Sequence, residues 1–422
     1  MTAPIAQVDV DESEAQARRE RFPVGASIEF ADLEEHARAG ALDRLRAAEP
    51  VSWVPALGGW LVTDHAMAHR VLGARGDYTV WAEPNLVRAS LGVTMLTSDP
   101  PEHAHQRHPF DEPFRLRAVR NRFESPVETR VGRLLDELVP LGRCELVAEF
   151  AAPFAILVAG DILGLSLTDV DEVQGFYDAF AGAMVYDGDP APQQAADVAR
   201  RALNEILLAE LHRVRRTPDG SVTSVVANDT SAALTDDEIV AQLRVILFGA
   251  IETVESMLVN AVLLLLQHPE ELAAVRSDPM LLPNAIEEGM RLIPPVAFIE
   301  RWTAGDVELG PVHLGPGEFV GISSLAAGRD PAVFADPLRF DVCRPNARSH
   351  LAFSFGVHHC LGINMARLQG AIALAAILDR MTGLKIIAAS EPHGFAFRRP
   401  PTLHVRWRAW RRRRDVANAA TW

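Results

Sequence analysis

A lone cysteine, Cys360, lies in a glycine-flanked loop that reads F-S-F-G-V-H-H-C-L-G between residues 353 and 362. An amphipathic run follows at once, with apolar residues at helical spacing, so we expect Cys360 at or just before a helix N-terminus. The unpaired N–H groups and the positive dipole end of a helix favour a thiolate there. Such a thiolate, beside an apolar face, is suited to ligating a soft or borderline metal such as haem iron.

Two other interpretations of this loop have to be weighed. Most free cysteines are small buried hydrophobes, and Cys360 with its flanking glycines would fit that role. A zinc site built on His358, His359 and Cys360 is disfavoured, because adjacent residues do not converge easily on one tetrahedral ion. The sequence also contains no CxxC pair that could complete such a site.

A capping box at residues 235–238 opens a long apolar helix. At its middle, two small residues, Gly249 and Ala250, are followed by the polar pair Glu252 and Thr253. In one interpretation, Thr253 hydrogen-bonds to a carbonyl one turn earlier and Gly249 permits close packing. In the other, the helix is distorted where a small ligand lies against it, and the acid–alcohol pair delivers protons.

The complete cysteine loop resembles the haem-binding signature of the cytochrome P-450 family, F-x-x-G-x-H-x-C-x-G. Every fixed position of that signature is filled, by Phe353, Gly356, His358, Cys360 and Gly362. The resemblance implies that these residues bind heme b, with Cys360 as the thiolate ligand of the iron and His358 as a contact of a haem propionate. A thiolate ligand favours O–O cleavage.

The middle of the long helix resembles the family's (A/G)-G-x-(D/E)-T-(T/S) pattern, with two departures. Ala250 stands where glycine is usual, and Val254 replaces the second hydroxyl residue. The resemblance implies that Ala250 lies against the haem, that Thr253 stabilises activated oxygen, and that Glu252 helps to relay protons. The added methyl group of Ala250 affects the room left for dioxygen, the co-substrate.

His103 and Arg107 lie four residues apart, on one face of a helix that Pro101 could open. A solvated surface pair is one interpretation. The pair also matches the family's H-x-x-x-R pattern, whose side chains hold haem propionates, and bidentate arginine–carboxylate geometry suits that role. The resemblance adds Arg301 as a further propionate contact.

Glu288 and Arg291 match the family's E-x-x-R pair, and Arg339 matches its third member. We interpret these three residues as a structural ion-pair network beneath the haem and not as catalysts. A helical acid–base pair at this spacing is common by chance, so the motif is informative only together with the others.

The resemblance covers roughly residues 45–407 and implies a mainly α fold with small β-sheets (α+β), in which haem lies between the long central helix and the cysteine loop. We expect residues 1–25 to be a flexible tail, residues 26–407 to form a single haem-thiolate monooxygenase domain, and residues 408–422 to be a basic, solvated tail.

The implied reaction inserts one oxygen atom into an organic substrate, most often as a hydroxylation. Electrons would come from NAD(P)H through a separate ferredoxin and ferredoxin reductase. We expect a small to medium hydrophobic substrate from specialised metabolism, in a pocket with apolar walls. Its predicted lining is Leu86, Val296, Ala297, Phe298 and Phe395.

Other functions remain open within this resemblance. The enzyme could use hydrogen peroxide directly or catalyse an unusual oxidation, such as ring coupling or decarboxylation. Alternatively, the protein could be a haem sensor or carrier without turnover. The acid–alcohol pair, Glu252 and Thr253, argues against both the peroxide route and the sensor.

Composition excludes several further classes. The net charge of −15 argues against a nucleic-acid partner, which normally needs a basic surface. Three scattered cysteines are too few for a disulfide scaffold and favour a reducing cytoplasm. The polar, acidic N-terminus is not a signal peptide. The longest apolar segment contains Glu252, Glu255 and Asn260, so we expect a buried helix and not a membrane span.

Overall fold

The computed structural model describes residues 12–83, 85–165, 169–184, 190–229 and 233–408. The helices are α1 (Glu12–Arg21), α2 (Pro23–Ala26), α3 (Phe30–Glu34), α4 (Gly40–Ala48), α5 (His65–Gly73), α6 (Leu86–Leu91), α7 (Glu102–Asp111), α8 (Leu116–Leu138), α9 (Ala152–Leu163), α10 (Val170–Gly182), α11 (Ala191–Arg216), α12 (Val222–Ala227), α13 (Asp236–Gln267), α14 (Pro269–Ser277), α15 (Leu282–Leu292), α16 (Ser324–Ala327) and α17 (Ile363–Arg380). The strands are β1 (Val51–Val54), β2 (Gly59–Val62), β3 (Tyr78–Thr79), β4 (Arg143–Glu145), β5 (Phe298–Thr303), β6 (Val307–Leu309), β7 (Val312–Leu314), β8 (Phe319–Ser323), β9 (Lys385–Ala389) and β10 (Leu403–Arg406). The expected mainly α architecture with small sheets is confirmed.

The 32-residue helix α13 is the centre of the fold. Its predicted capping box is present, because the Thr235 hydroxyl accepts from the Glu238 N–H and the Glu238 carboxylate accepts from the Thr235 N–H. The helix packs against α9, α11, α15 and α17. In the described part of the chain it alone is long and apolar enough to cross a membrane, but 72% of its most apolar window is buried inside the protein. A helix that is apolar all round and buried in this way is a core helix.

The largest sheet has the strand order β1-β2-β8-β5-β3, in which β2 and β8 run parallel and the other pairs antiparallel. Side chains alternate between the two faces of a strand. On β5, Phe298 and Trp302 therefore share one face and pack with Phe319 of β8. Arg301 lies on the opposite face, where the sheet presents it to the elements around the cysteine loop.

The expectation of a flexible tail over residues 1–25 is wrong from Glu12 onward, because α1 and α2 form there. The Arg18 guanidinium lies over the rings of Trp53 and Trp60, 4.5 and 5.2 Å from their centroids, and pairs with Glu318. The sequence pattern concealed this anchor, because α1 is polar all round and has no buried residue. Residues 1–11 and most of the predicted basic tail, residues 409–422, lie outside the described residues.

A buried ion-pair network ties α15 to the coil that leads to the cysteine loop. Glu288 and Arg291 form the predicted pair, with nitrogen–oxygen distances of 2.7 and 2.8 Å and both side chains fully buried. The third member is Arg344, whose Nε donates to Glu288 at 2.9 Å. The prediction of Arg339 is wrong, because its side chain is 64% exposed and only its carbonyl oxygen takes part, accepting from Arg291 and Arg344.

We expect Arg344→Met to lower the free energy of unfolding by about 3 kcal/mol, because Glu288 loses a charged partner and stays buried. Arg339→Met is the matched control and should cost less than about 0.5 kcal/mol, since that guanidinium is exposed. Urea denaturation of both variants measures the difference. Equal losses would mean that Arg344 does not carry the network.

Candidate active site

Cys360 lies where the sequence predicted, three residues before α17 begins. Its N–H donates to the Phe353 carbonyl at 2.9 Å, which closes the loop. The N–H of Gly362 donates to the Cys360 sulfur. The loop therefore presents one sulfur atom just before α17, and this sulfur accepts a hydrogen bond from the backbone.

Gly356 is required by packing in this loop. Its φ is +73°, and a Cβ there would lie 2.2 Å from the Leu72 carbonyl oxygen of α5. No other residue fits this position without moving α5. Beyond its place in the haem-binding signature, glycine is therefore needed at residue 356 for the close contact with α5.

Burial raises the pKa of the Cys360 thiol, although the Gly362 N–H and the guanidinium groups of Arg107 and Arg367 oppose that rise. The helix N-terminus alone is therefore insufficient to produce a thiolate. A bound metal cation deprotonates a coordinating thiol outright. In the part of the chain that the structure describes, no three His, Cys, Asp or Glu side chains cluster so that they could hold a metal ion, so Cys360 would be a single protein ligand.

Four nitrogen-bearing side chains converge beside this loop: His103, Arg107, Arg301 and His358. The rings of His103 and His358 lie 4.6 Å apart. Burial, together with the charges of Arg301, His103 and Arg107, lowers the pKa of His358 to about 2. His103 is only 5% exposed, so the interpretation of His103 and Arg107 as a solvated pair is wrong.

The two histidines each have a ring nitrogen without an acceptor. The Nε2 atoms of His103 and His358 are both buried without a hydrogen-bond partner among the described residues. The Arg301 guanidinium is also buried and donates to the Glu300 carbonyl at 2.7 Å. Leaving a buried polar group unpaired costs about 1–3 kcal/mol. The cluster therefore fits an anionic ligand with several acceptor oxygens, as the two propionates of haem provide.

The middle of α13 has open space on one side. Gly249 is exposed, and a Cβ built there would meet nothing within 4 Å. The close-packing interpretation of Gly249 is therefore wrong. Thr253 does hydrogen-bond one turn back, since its hydroxyl donates to the Gly249 carbonyl at 2.6 Å. The helix remains α-helical from Asp236 to Gln267, so the distortion considered from sequence is absent.

Glu252 has two partners that sequence reasoning missed. The hydroxyl of Tyr177, on α10, donates to its carboxylate. Burial raises the pKa of Glu252, and the charge of Arg399 opposes this. Arg399 also lies 2.9 Å from Glu255, one turn further along α13. Neither partner has a sequence signal, because both are brought to α13 from distant segments.

Comparisons with known proteins agree with this geometry. The family model for cytochrome P-450 matches residues 200–384. The 6-deoxyerythronolide B hydroxylase of Saccharopolyspora erythraea is 33% identical over 363 residues, which cover 81% of this chain and 88% of that protein. The chain belongs to the cytochrome P-450 family.

Further relatives support the same conclusion. The 20-oxo-5-O-mycaminosyltylactone 23-monooxygenase of Streptomyces fradiae is 32% identical over 394 residues, 90% of each chain. Among solved structures, the cytochrome P-450 enzyme CxnD, which forms a C–S bond in chuangxinmycin biosynthesis, has a TM-score of 0.82 and 25% identity, over 90% of this chain and 96% of that one. The protein is a P-450-type oxidoreductase of the haem-dependent monooxygenase class, as the sequence resemblance implied.

The predicted substrate-lining residues of this P-450 divide into two groups. Ala297, Phe298 and Phe395 line a small cavity of about 10 Å³, with the two phenyl rings 4.2 Å apart. That cavity holds at most one water molecule, and the role of these three residues as substrate lining stays a prediction. Val296 is half-buried and pairs with Phe397. Leu86 is half-buried on α6, beside an open cavity of about 500 Å³ whose walls include Trp81 and Arg88.

A second ion-pair network, also missed from sequence, supports the cysteine loop. The buried Glu287 carboxylate accepts from Arg367 at 2.6 and 3.1 Å and lies 3.1 Å from His350 Nε2. The Arg367 guanidinium lies 5.3 Å from the centroid of the Phe353 ring, and the His350 ring lies 5.8 Å from it. Phe353, the first residue of the haem signature, is thus held between two partners of one carboxylate.

This network predicts a specific acid sensitivity. Burial alone would raise the pKa of Glu287, but hydrogen bonds from His350 and Arg367 outweigh burial and lower it to about 2. The network stabilises the fold fully above the ordinary carboxyl pKa and loses this contribution as the pH falls towards 2. Between pH 5 and pH 2, we expect wild type to lose about 3 kcal/mol more stability than Glu287→Gln.

The measurement is the free energy of unfolding against pH, with Glu124→Gln, a change at an exposed position, as control. The control should follow the wild-type curve. A wild-type curve that runs parallel to that of Glu287→Gln would show that Glu287 has no lowered pKa in the folded protein.

Proposed function

We propose that this chain is a haem-thiolate monooxygenase that inserts one atom of dioxygen into a small to medium hydrophobic organic molecule, most often as a hydroxylation. The observation that carries the proposal is the group of buried, unpartnered nitrogen atoms of His103 and His358, together with Arg107 and Arg301, beside the sulfur of Cys360. A dicarboxylate ligand with a metal centre would satisfy both these donors and the sulfur.

In this proposal, Cys360 binds the iron of heme b, and His103, Arg107, Arg301 and His358 hold its propionates. Bound heme b supplies the oxygen-activating chemistry, which amino-acid side chains do not provide. Gly249 and Ala250 form the opposite wall, and the open space at Gly249 supports this assignment. Phe353, Gly356 and Gly362 shape the loop that presents the sulfur.

The proton-handling residues are Thr253 and Glu252. The Thr253 hydroxyl donates to the Gly249 carbonyl, so its oxygen lone pairs remain available at the open turn. Burial raises the pKa of Glu252, which favours a carboxyl group that holds a proton close to that hydroxyl. Glu252 would supply protons, and the Thr253 hydroxyl would pass them to a ligand in the open space at Gly249.

The reaction consumes two electrons, which we propose come from NAD(P)H through ferredoxin and ferredoxin reductase. The names of the relatives specify a hydroxylase and a 23-monooxygenase, and we carry over that reaction class to a hydrophobic substrate of specialised metabolism. We also propose that residues 26–407 act as one monooxygenase domain in the cytoplasm, where the three free cysteines would stay reduced.

The first test is the absorption spectrum of the dithionite-reduced protein before and after carbon monoxide. We expect a strongly red-shifted Soret band, because a thiolate donates electron density to the iron. Cys360→Ser should abolish that shift, whereas Cys343→Ser, at an exposed cysteine, should retain it. A protein that takes up no haem after reconstitution would contradict the proposal.

A second test addresses proton delivery by the Thr253 hydroxyl. We expect Thr253→Ala to lower the yield of product per NAD(P)H at least about tenfold, because general acid–base assistance at this position is lost. Thr253→Ser, which keeps the hydroxyl, should restore most of the yield. Unchanged coupling in Thr253→Ala would favour a haem sensor or carrier over a monooxygenase.

A further inference from the structure

Tyr177 connects α10 to the proton-handling turn of α13. Its ring stacks on Phe248, with centroids 5.0 Å apart and planes inclined by 16°. Its hydroxyl donates to a carboxylate oxygen of Glu252, four residues further along the same helix. The ring is buried, so the hydroxyl has little freedom to turn elsewhere. The stacking and the hydrogen bond together fix where the Glu252 carboxyl can lie.

Arg399 approaches the same turn from the segment between β9 and β10. Its guanidinium lies 2.9 Å from Glu255, and it also faces Glu252. Glu252 and Glu255 are one turn apart on α13, so the two carboxyl groups share one cation. Tyr177 is the neutral donor to Glu252, whereas the guanidinium lies against Glu255.

Acidic side chains outnumber basic ones around Glu252 and Glu255. Glu252 faces Tyr177 and Arg399, whereas Glu255 faces Arg399, Glu252 and two further acids, Glu145 of β4 and Asp178 of α10. Burial raises the pKa of both carboxyl groups, that of Glu255 to about 7, with Arg399 opposing the rise. Two buried carboxyl groups that share one cation cannot both ionise easily, so a proton is retained near neutral pH.

We propose that Tyr177 is a positioning residue for proton delivery: its hydroxyl holds the Glu252 carboxyl beside Thr253, at the edge of the buried Glu252–Arg399–Glu255 cluster. This inference rests on the proposed role of Glu252 and Thr253. Without the hydroxyl, the Glu252 carboxyl is no longer held in place, and Thr253 loses its fixed proton source.

Tyr177→Phe is the direct test, because it removes one oxygen and keeps the ring that stacks on Phe248. We expect an unchanged carbon monoxide spectrum and a several-fold fall in product per NAD(P)H. A hydroxyl that donates to a carboxylate favours the charged form, so its loss raises the pKa of Glu252. The alkaline limb of the product-yield profile should therefore move to higher pH.

An infrared titration of the ferric protein provides a readout that does not depend on turnover. The protonated-carboxyl band that disappears in Glu252→Gln should titrate at higher pH in Tyr177→Phe than in wild type. Tyr78→Phe is the matched control, because Tyr78 is also buried but lies on β3, in the core beneath α5. This control should change neither the band nor the yield.

These variants distinguish the role of Tyr177 from the proposed role of Glu252. If Glu252→Gln lowers the yield while Tyr177→Phe changes neither yield nor band, the inference about Tyr177 is overturned and the proposed function stands. If Glu252→Gln leaves the yield unchanged, the proposed role of Glu252 fails and the inference fails with it. A yield in the Tyr177→Phe, Glu252→Gln double variant equal to that of Glu252→Gln alone would support action through Glu252.

Discussion

Two adjacent buried carboxylates on α15 hold the cysteine loop in place. Glu288 accepts from Arg291 and Arg344, and Glu287 accepts from Arg367 and pairs with His350. A buried charge is costly unless it is paired and hydrogen-bonded, so neither carboxylate can lose a partner cheaply. Because these partners come from the coil before the loop and from the helix after it, α15 fixes both ends of the segment that presents Cys360.

The nitrogen-bearing side chains beside the cysteine loop, in contrast, are incompletely paired. There the protein leaves His103 Nε2 and His358 Nε2 buried without acceptors, while elsewhere in the same region it satisfies each carboxylate twice. Buried polar atoms without partners occur elsewhere too, for example Arg329 Nε and Arg398 Nη1, so the position of the two histidines beside Cys360 is what makes this set informative. Acceptor oxygens of a bound ligand would satisfy these two nitrogens, and such a ligand would lie beside the cysteine loop.

The sequence predicted those parts of the site whose signals are local. The capping box at Thr235, the position of Cys360 before α17 and the Glu288–Arg291 pair all depend on spacing within one element, and all are confirmed. Contacts between distant segments could not be predicted. Arg339 and Arg344 lie five residues apart in one coil, and no periodicity says which guanidinium turns inward. In the same way, the polar α1 gives no sign that Arg18 docks on two tryptophans.

Strand alternation separates two residues that the sequence placed near the site. Phe298 and Arg301 lie three residues apart on β5, so their side chains project from opposite faces of the sheet. Arg301 therefore joins the anion-binding cluster, whereas Phe298 covers Gly321 and packs against Phe395.

Carboxyl groups are buried both under the cysteine loop and on α13, but their pKa values shift in opposite directions. Under the cysteine loop, Glu287 has more than one cationic or donor partner, and its pKa falls to about 2. On α13, Glu252 and Glu255 share one arginine, and burial raises the pKa of both. The number of partners for each carboxylate thus decides whether its charge is permanent or a proton can be exchanged. Permanent charges hold the metal-ligand loop still, and the exchangeable proton lies on the helix where oxygen chemistry would need it.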